Sequence, residues 1–322
     1  MRVALTGATG FVGGQVAQKL LREGFEVRCL IRSARHRSVF EAFGCEIVMG
    51  SLADEASREA LVSGVQQVYH VAGLVAALSE ADFVDTNVNQ TGALARAAAR
   101  AGVSRFIHVS SLAATGPSPD GTPLDECGAP GPVTAYGRSK LGGESAVREA
   151  GVPFTIVRPP AVYGPRDRAF LRLFRFARLG FVPLLGDGSQ RLSLVHVTDL
   201  ANAIYAAGTS EQTVGKTYHS AGDEIITQRE LALLIGAAVG RSVRTVAFAP
   251  AFVRMALQIG GLVSLVTRRA SILSPSKGPE LLAPAWTASS AALERATGWR
   301  PTIALGEGLA STAEWYRARG WL

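Results

Sequence analysis

The sequence predicts an α/β fold: a doubly wound parallel sheet with a smaller, mostly helical C-terminal substrate domain. Three observations support this fold class. Short apolar runs alternate with helical stretches through the first half of the chain, a glycine-rich turn directly follows the first run, and the pattern becomes mainly helical after Tyr163. Strands that alternate with helices form parallel sheets covered by helices on both faces.

The predicted elements follow one another in a regular order. Strands are predicted at about 2–6, 26–31, 45–49, 67–72, 104–110 and 153–158, with returning strands near 192–196 and 216–221. The clearest helices are predicted at 87–101 and 133–150, and later ones at 168–180, 227–239, 250–266, 289–297 and 306–318. The loop 112–132 is rich in Pro and Gly, which makes it a candidate active-site flap.

Two domains are predicted from this pattern. The sheet domain comprises residues 1–165 plus about 191–222, and the substrate-binding domain comprises about 166–190 and 223–322. In open α/β sheets the ligand lies at the carboxyl ends of the strands. The cleft is therefore expected between the two domains.

A glycine-rich turn joins the first strand to the first helix. Arg2–Thr6 is typical of a buried strand, and the residues from Phe11 to Glu23 are apolar at helical spacing. Strand, glycine turn and helix in this order indicate a Rossmann-type dinucleotide site, because glycines allow a tight turn and close approach of the pyrophosphate to the helix N-terminus. The predicted cofactor-binding residues of this turn are Gly7, Thr9, Gly10, Phe11, Val12 and Gly13.

Tyr136 and Lys140 lie four residues apart in a predicted helix, so the two side chains share a face. A neighbouring ammonium favours the phenolate, which is expected to lower the pKa of Tyr136 from about 10 towards neutrality. Tyr136 is therefore predicted to act as a general acid/base. The alternative is a solvated helix face, and the glycine turn in the same chain favours the catalytic interpretation.

The end of the second strand indicates which dinucleotide is used. NAD sites place an acidic residue there to accept the ribose hydroxyls, whereas this chain has Arg32, followed closely by Arg35. A guanidinium suits the 2′-phosphate of NADP. NADP(H) is therefore favoured as cofactor and NAD(H) stays open, the alternative being that Arg32 is a solvent-facing residue at a strand end.

The combination of motifs resembles the extended branch of the short-chain dehydrogenase/reductase superfamily, over nearly the whole chain. Besides the Gly-x-x-Gly-x-x-Gly turn and Tyr-x-x-x-Lys, the motifs are His70-Val-Ala-Gly73, Asn87-Val-Asn-Gln-Thr-Gly92, Phe106-Ile-His-Val-Ser-Ser111, Arg158-Pro-Pro-Ala-Val-Tyr-Gly-Pro165 and Leu194-Val-His-Val-Thr-Asp199. Within this branch the chain is most similar to 3β-hydroxysteroid dehydrogenase-like and dihydroflavonol reductase-like members.

The resemblance implies roles for individual residues. Ser111, Tyr136 and Lys140 would form the catalytic triad, with Ser110 as the neighbour of Ser111, and Lys140 would also hold the ribose hydroxyls. Further cofactor contacts are implied for Ser51, Leu52, Val71, Ala72, Gly73, Pro159 and Val162. The family's acidic contact after the third strand is missing here, because Ser51 stands in its place, while the leucine is kept.

Three further polar residues allow two interpretations each. Asn87 either orients the site or caps a helix, His196 is expected to be a core histidine rather than a catalytic one, and Arg158 is expected to be structural.

The residue pair after Ser111 separates the possible reactions. Similar 4,6-dehydratases carry Asp-Glu there, whereas Leu112 and Ala113 cannot do acid/base work. Epimerases commonly keep the acidic residue that Arg32 replaces. The favoured function is an oxidoreductase that interconverts a ketone and a secondary alcohol, with an NAD-dependent sugar-nucleotide epimerase as the alternative. A cofactor-sensing regulatory protein is less favoured, because such relatives typically lose the Tyr or the Lys.

Two apolar stretches bear on the substrate. Residues 252–266 and 171–181 favour an apolar ligand such as a steroid, a flavonoid or a long-chain ketone, although simple core packing explains the same residues. The 252–266 stretch is too short to span a bilayer. With Arg268 and Arg269 beside it, it leaves peripheral membrane contact as a hypothesis.

Composition restricts the remaining partners. The net charge is +7, but the arginines are dispersed without interleaved aromatic residues, so no nucleic-acid binding is predicted. Three widely spaced cysteines predict no metal site and indicate reduced thiols in the cytoplasm, and a strand at residue 2 leaves no room for a signal peptide. Small residues in helices 87–101 and 133–150 are compatible with a homodimer through these helices, or with close packing inside one chain.

Overall fold

The computed structural model describes residues 1–267 and 275–322. Its strands are β1 (Arg2–Thr6), β2 (Glu26–Ile31), β3 (Glu46–Met49), β4 (Gln67–His70), β5 (Arg105–Val109), β6 (Phe154–Arg158), β7 (Ala161–Tyr163), β8 (Phe181–Leu185), β9 (Arg191–His196), β10 (Lys216–His219), β11 (Ile225–Thr227), β12 (Arg244–Phe248) and β13 (Ala285–Trp286).

The α-helices are α1 (Phe11–Arg22), α2 (Arg37–Ala42), α3 (Glu55–Val62), α4 (Glu80–Val84), α5 (Thr91–Arg100), α6 (Leu112–Thr115), α7 (Ala135–Arg148), α8 (Leu171–Arg178), α9 (Val197–Thr209), α10 (Gln228–Ala238), α11 (Pro250–Thr267), α12 (Gly278–Leu281), α13 (Ala291–Thr297) and α14 (Leu305–Ala318). Short 3₁₀ turns cover Ala34–His36, Glu211–Thr213 and Pro275–Lys277, and a π-helical turn covers Asp85–Gln90.

The main sheet has seven parallel strands in the order β10-β6-β5-β4-β1-β2-β3. The chain builds outward from β1 to β3 and then returns to place β4 on the other side of β1. The strand order therefore reverses between β1 and β4, and ligands of such sheets bind outside the carboxyl ends of the strands at this point. The predicted doubly wound α/β fold is confirmed.

Both faces of this sheet are covered, which explains why its strands are apolar without interruption. Successive residues of β1 alternate between the two cores: Val3 and Leu5 pack with α1 and α9, and Ala4 packs on the opposite face with residues of α3 and α5. Each of these three side chains is fully buried. Burial on both sides fixes the register, because a one-residue slip would exchange the two cores.

Smaller sheets form the C-terminal part. Strand β9 pairs with β7, β11 and β13, and β12 pairs with β8, over a core shared with α8, α10 and α14. The predicted strand near 192–196 is thus β9 and pairs outside the seven-stranded sheet, although its Val195 packs in the core under α1. The boundaries of the two domains stay a prediction.

Helix α11 is the predicted helix 250–266, and it is unusual in what it exposes. Val253 and Leu257 are buried, whereas the side chains of Phe252, Met255 and Ile259 are each more than half exposed. Arg268 and Arg269, expected to flank this helix, lie outside the described residues. Among the described residues, no helix is long and apolar enough to cross a bilayer.

Candidate active site

The glycine turn lies at the carboxyl end of β1, where the strand order reverses. Gly7 has φ of +76°, and a Cβ at this position would lie 2.7 Å from the Ala72 nitrogen. A Cβ at Gly13 would lie 2.1 Å from the Gly7 carbonyl oxygen. These two residues must therefore be glycine for α1 to begin so close to β1 and to the loop after β4.

The first turn of α1 fits the pyrophosphate of a dinucleotide. Its N-cap is Gly10, which provides no capping side chain, and the first turn holds no acidic residue. The amide groups that an α-helix leaves unpaired at its N-terminus here belong to Phe11, Val12 and Gly13, just after Thr9. An uncapped N-terminus with this polarity attracts phosphate.

The loop after β4 is held on the other side of this turn. The Thr6 hydroxyl accepts a hydrogen bond from the Ala72 amide at 3.2 Å, and lies 2.7 Å from Nδ1 of buried His70. Val71 packs against the core beneath, and Gly73 follows directly. A Cβ at Gly73 would lie 3.6 Å from Lys140 Nζ. The loop thus connects the glycine turn to the predicted catalytic helix.

The predicted contacts for the adenosine end lie at the ends of β2 and β3. Arg32 and Arg35 are exposed, and Arg35 Nε lies 3.0 Å from the His36 ring. The Ser51 hydroxyl accepts from the Ala53 amide, and Leu52 is buried in the core beside β2. Their roles in binding a cofactor stay predictions.

Helix α7 carries Tyr136 and Lys140 and begins beside Ser111. The Thr134 hydroxyl caps the helix by accepting from the Gly137 amide at 3.0 Å. A Cβ at Gly137 would lie 2.3 Å from the Ala113 carbonyl oxygen, so only glycine lets α7 approach the short helix α6 this closely. Ser111 is the N-cap of α6, and its hydroxyl forms a hydrogen bond with Tyr136 that opposes the effect of burial on the phenol pKa.

The pKa of Tyr136 differs from the sequence-based expectation. Burial raises it to about 12, the hydrogen bond with Ser111 opposes this, and the charge of Glu280 adds to it. Lys140 Nζ instead donates to the Val109 carbonyl oxygen at 2.7 Å, and burial lowers the pKa of Lys140 to about 8, opposed by Glu144. The predicted lowering of the Tyr136 pKa was therefore wrong for this state, because burial of the phenol raises the pKa more than the hydrogen bond with Ser111 lowers it.

A buried polar network fixes α7 against β5 and β6. Glu144, one turn after Lys140, accepts hydrogen bonds from Arg158 at 2.8 and 2.6 Å and from the Ser110 hydroxyl at 2.6 Å. Burial alone would raise the pKa of Glu144, but the hydrogen bonds and charge of Arg158 outweigh it and lower the pKa. Glu144 was not predicted from the sequence, although its i+4 spacing from Lys140 could have indicated it.

Asn87 joins three parts of the site. Its side-chain amide donates to the Leu74 carbonyl at 3.0 Å and to the Ser139 hydroxyl at 2.9 Å, while its Oδ1 accepts from the Leu74 amide at 2.8 Å. Asn87 lies in the π-helical turn, a feature often found at functional sites. It positions the loop after Gly73 and is not a simple helix cap.

Three further residues considered from the sequence are Pro159, Val162 and His196. The Pro159 carbonyl accepts from the Leu112 amide at 2.8 Å, which ties β6 to the turn of Ser111, and Val162 lies in β7. His196 accepts from the Thr198 amide at 3.3 Å and contacts the Tyr163 ring, as expected of a core histidine.

A small cavity lies over Tyr136. Its walls are Val75, Ala76, Ala77 and Phe83 on one side, with Ser276 and Lys277 from the C-terminal part on the other. The Phe83 ring lies 6.0 Å from the ring of Tyr136. With Thr134 also in the lining, the phenol thus faces a small space of mixed apolar and polar character between the two parts of the chain.

Comparisons with known proteins found relatives over nearly the whole chain. The model of the NAD dependent epimerase/dehydratase family matches residues 3–219. A ceramide reductase from Caulobacter vibrioides is 36% identical, covering 99% of this chain and 96% of the relative.

Solved structures share the fold. A double mutant of a dTDP-glucose 4,6-dehydratase from Streptomyces venezuelae, determined with NAD bound, has a TM-score of 0.80 and 26% identity over 100% of this chain and 98% of its own. A UDP-glucose 4-epimerase from Thermotoga maritima has a TM-score of 0.80 at 23% identity over 99% of both chains, a likeness that shows the fold alone. Reductase, dehydratase and epimerase thus share one framework, and the site residues must decide between them.

Proposed function

The chain belongs to the NAD-dependent epimerase/dehydratase family of extended short-chain dehydrogenase/reductase enzymes, and we propose that it is a ketoreductase that exchanges NADP(H) at each turnover. The substrate is a ketone, reduced to a secondary alcohol, on an otherwise apolar molecule. The observation that carries this proposal is the meeting of Ser111, Tyr136 and Lys140 beside the glycine turn, under a small cavity with apolar walls on one side.

The protonation states favour reduction. With its pKa raised to about 12, the Tyr136 phenol keeps its proton at neutral pH and can donate it to a carbonyl oxygen. The Ser111 hydroxyl beside it can donate a second hydrogen bond to the same oxygen as negative charge develops. A bound nicotinamide supplies the hydride. Lys140, held on the Val109 carbonyl, is the residue proposed to hold the ribose hydroxyls.

The preference for NADP rests on the end of β2. Arg32 and Arg35 are exposed there, and Arg32 occupies the position where an acidic residue would select NAD. Guanidinium groups match the 2′-phosphate in charge and geometry.

An apolar substrate is favoured by the apolar side of the cavity, formed by Val75, Ala76, Ala77 and Phe83, and by the relative named ceramide reductase. Against dehydration, the residues after Ser111 are the buried, apolar Leu112 and Ala113. The second candidate is an NAD-dependent sugar-nucleotide epimerase, because the family model that matches residues 3–219 describes NAD-dependent epimerases as well as dehydratases. An epimerase of this kind would retain NAD through purification and convert UDP-hexoses without net oxidation of cofactor.

The proposal is tested by following NADPH absorbance with long-chain ketones, steroids, flavanonols and UDP-hexoses. The expected result is substrate-dependent oxidation of NADPH with an apolar ketone. Tyr136→Phe should lower turnover by at least about 100-fold with little change in NADPH affinity. Tyr205→Phe, on α9, is the matched control and should keep full activity. Equal turnover by Tyr136→Phe and the parent protein would remove Tyr136 from the reaction.

Two partner proposals remain from the sequence. The exposed apolar face of α11 supports peripheral contact with a lipid surface, which flotation with liposomes would test. The support for a homodimer is weaker, because Gly92 on α5 packs against Ala146 on α7 within one chain, which accounts for some of the small residues. Light scattering would test the oligomeric state. A cytoplasmic location also stays a proposal, consistent with the three free cysteines.

A further inference from the structure

Lys277 is a lysine in an unexpected place. It ends the short turn Pro275–Lys277 of the C-terminal part, and only 8% of it is exposed. Its Nζ lies 4.4 Å from the centre of the Tyr136 ring. Lysines are rarely buried unless they are paired, so a lysine placed against the proposed catalytic tyrosine needs an explanation.

The surroundings hold the ammonium in place without enclosing it completely. Glu280 accepts a hydrogen bond from Lys277 Nζ at 2.8 Å, and the Trp286 indole donates to the Glu280 carbonyl at 2.8 Å. An ammonium has three donors, and Glu280 takes one while the Tyr136 ring lies along another direction. Lys277 also lines the cavity over Tyr136, so a ligand in that cavity would meet the ammonium.

The other residues that line the cavity indicate what kind of ligand Lys277 would contact. Val75, Ala76, Ala77 and Phe83 form its apolar walls, Thr134, Tyr136 and Ser276 add polar groups, and Lys277 is the cationic residue of this lining. A ligand that presented only hydrocarbon to Lys277 would desolvate the ammonium without offering it an acceptor, which is unfavourable. A ligand with a hydrogen-bond acceptor at this point would satisfy the ammonium.

We propose that Lys277 forms a substrate subsite that donates a hydrogen bond to an acceptor group adjacent to the reacting carbonyl, such as an amide or a hydroxyl oxygen. The preferred substrate is then an apolar chain whose ketone has a polar neighbour. This inference rests on the proposed function and narrows its substrate class. Glu280 acts as a positioning residue that keeps the ammonium over the Tyr136 ring.

The test compares two ketones of equal chain length, one with an amide next to the carbonyl and one without. Lys277→Met should lower kcat/KM for the amide-bearing ketone by at least about tenfold and change kcat/KM for the plain ketone by less than about threefold. Lys277→Arg should keep part of the preference, because it keeps the charge. Lys216→Met, at an exposed position of β10, is the matched control and should behave as the parent protein.

The outcomes separate the two proposals. Turnover of either ketone by the parent protein supports the ketoreductase, and an equal loss for both ketones in Lys277→Met would show a merely structural role and overturn the subsite. No turnover of any ketone would overturn the proposed function. Thermal shifts with the two ketones then still test the subsite, since only the amide-bearing ligand should stabilise the parent protein more than Lys277→Met.

Discussion

The two sides of the cavity over Tyr136 are built differently. On the sheet side, α7 is fixed by buried groups that are paired with each other, with Glu144 fully buried between Arg158 and Ser110. On the C-terminal side, the turn that carries Lys277 adjoins α11, and α11 exposes large apolar side chains such as Phe252 and Met255. The proton-transfer groups thus lie in the rigid part, and the proposed substrate contacts lie in the part with less extensive burial.

This difference assigns the acid/base chemistry to the sheet side of the cavity and substrate selectivity to the C-terminal side. Acid/base groups need fixed geometry, which the paired buried groups Glu144, Arg158 and Ser110 provide. Substrate-contacting segments tolerate exposed and less paired side chains, because their partner arrives with the ligand. Changes on the sheet side should therefore affect stability and every substrate together, whereas changes on the C-terminal side should affect selectivity.

The largest expected effect is that of Glu144→Ala. It leaves the buried Arg158 guanidinium without its carboxylate, so the free energy of unfolding should fall by about 3–5 kcal/mol, with loss of activity on all substrates. Urea denaturation measures this. Glu149→Ala, exposed at the end of the same helix, is the control and should cost less than about 1 kcal/mol. If Glu144→Ala also lowered the free energy of unfolding by less than about 1 kcal/mol, the interpretation that the Glu144 network stabilises the sheet side would be contradicted.

The Glu144 carboxylate also predicts that the free energy of unfolding falls at acidic pH. The pKa of Glu144 is lowered in the folded protein, so its contribution is fully present above the unfolded-state pKa of about 4.3 and is lost as the pH falls below it. The free energy of unfolding of Glu144→Gln should therefore depend less on pH in this range than that of the parent protein. Parallel pH profiles for the two proteins would contradict this assignment.

The pKa of Lys140 predicts that NADPH binding weakens at alkaline pH. Burial lowers its pKa to about 8, so the free protein loses this positive charge as the pH rises through 8. If Lys140 holds the cofactor ribose as a cation, the dissociation constant of NADPH should rise above pH 8, by up to about tenfold per pH unit. Fluorescence titration measures this constant. Lys140→Arg stays charged and should show no such rise.

Arg32→Ala tests the rim of the sheet side. We expect it to weaken NADPH binding by about tenfold or more and to leave NADH binding nearly unchanged, because only NADPH carries the 2′-phosphate. Arg37→Ala is the control, since Arg37 is exposed nearby and pairs with Glu41 at 2.7 Å. Equal weakening of both cofactors by Arg32→Ala would contradict a 2′-phosphate contact.

The sequence predicted the sheet side better than the C-terminal side. The glycine turn, the strands of the main sheet and the juxtaposition of Tyr136 and Lys140 follow from local patterns of period and spacing. Strands β8 and β12 were not predicted, because each is only five residues long, lies just outside a predicted helix and pairs with a strand distant in sequence. The π-helical turn holding Asn87 was also not predicted, since its residues continue the helical pattern of α5.

Long-range burial explains the remaining differences. The raised pKa of Tyr136 depends on how completely the fold removes water from the phenol, which spacing within α7 cannot show. Lys277 lies more than a hundred residues from Tyr136 in the chain, and its position over that ring depends on how the C-terminal part packs. Local sequence therefore predicts the acid/base pair but neither its environment nor its substrate contacts.

Substitutions on the exposed apolar face of α11 should have the smallest effect on the free energy of unfolding. Phe252, Met255, Ile259 and Val263 recur at helical spacing and are all more than half exposed, and α11 contains no acidic residue. Such a face can lie on a lipid surface, to which the exposed Arg254 adds attraction if the lipids are anionic. We therefore expect the protein to float with liposomes that contain anionic lipid.

The double variant Met255→Ser with Ile259→Ser should abolish flotation and change the free energy of unfolding by less than about 1 kcal/mol, because both side chains are already exposed. Val39→Ser with Leu233→Ser, at exposed apolar positions outside α11, is the control and should still float. A parent protein that stays with the unbound fraction would exclude the lipid surface. Concentration-dependent association that the same double variant abolishes would instead assign α11 to contact between copies of the chain. Whichever contact α11 makes, kcat of the Met255→Ser, Ile259→Ser double variant on a water-soluble ketone should equal that of the parent protein, because α11 carries none of the proton-transfer groups.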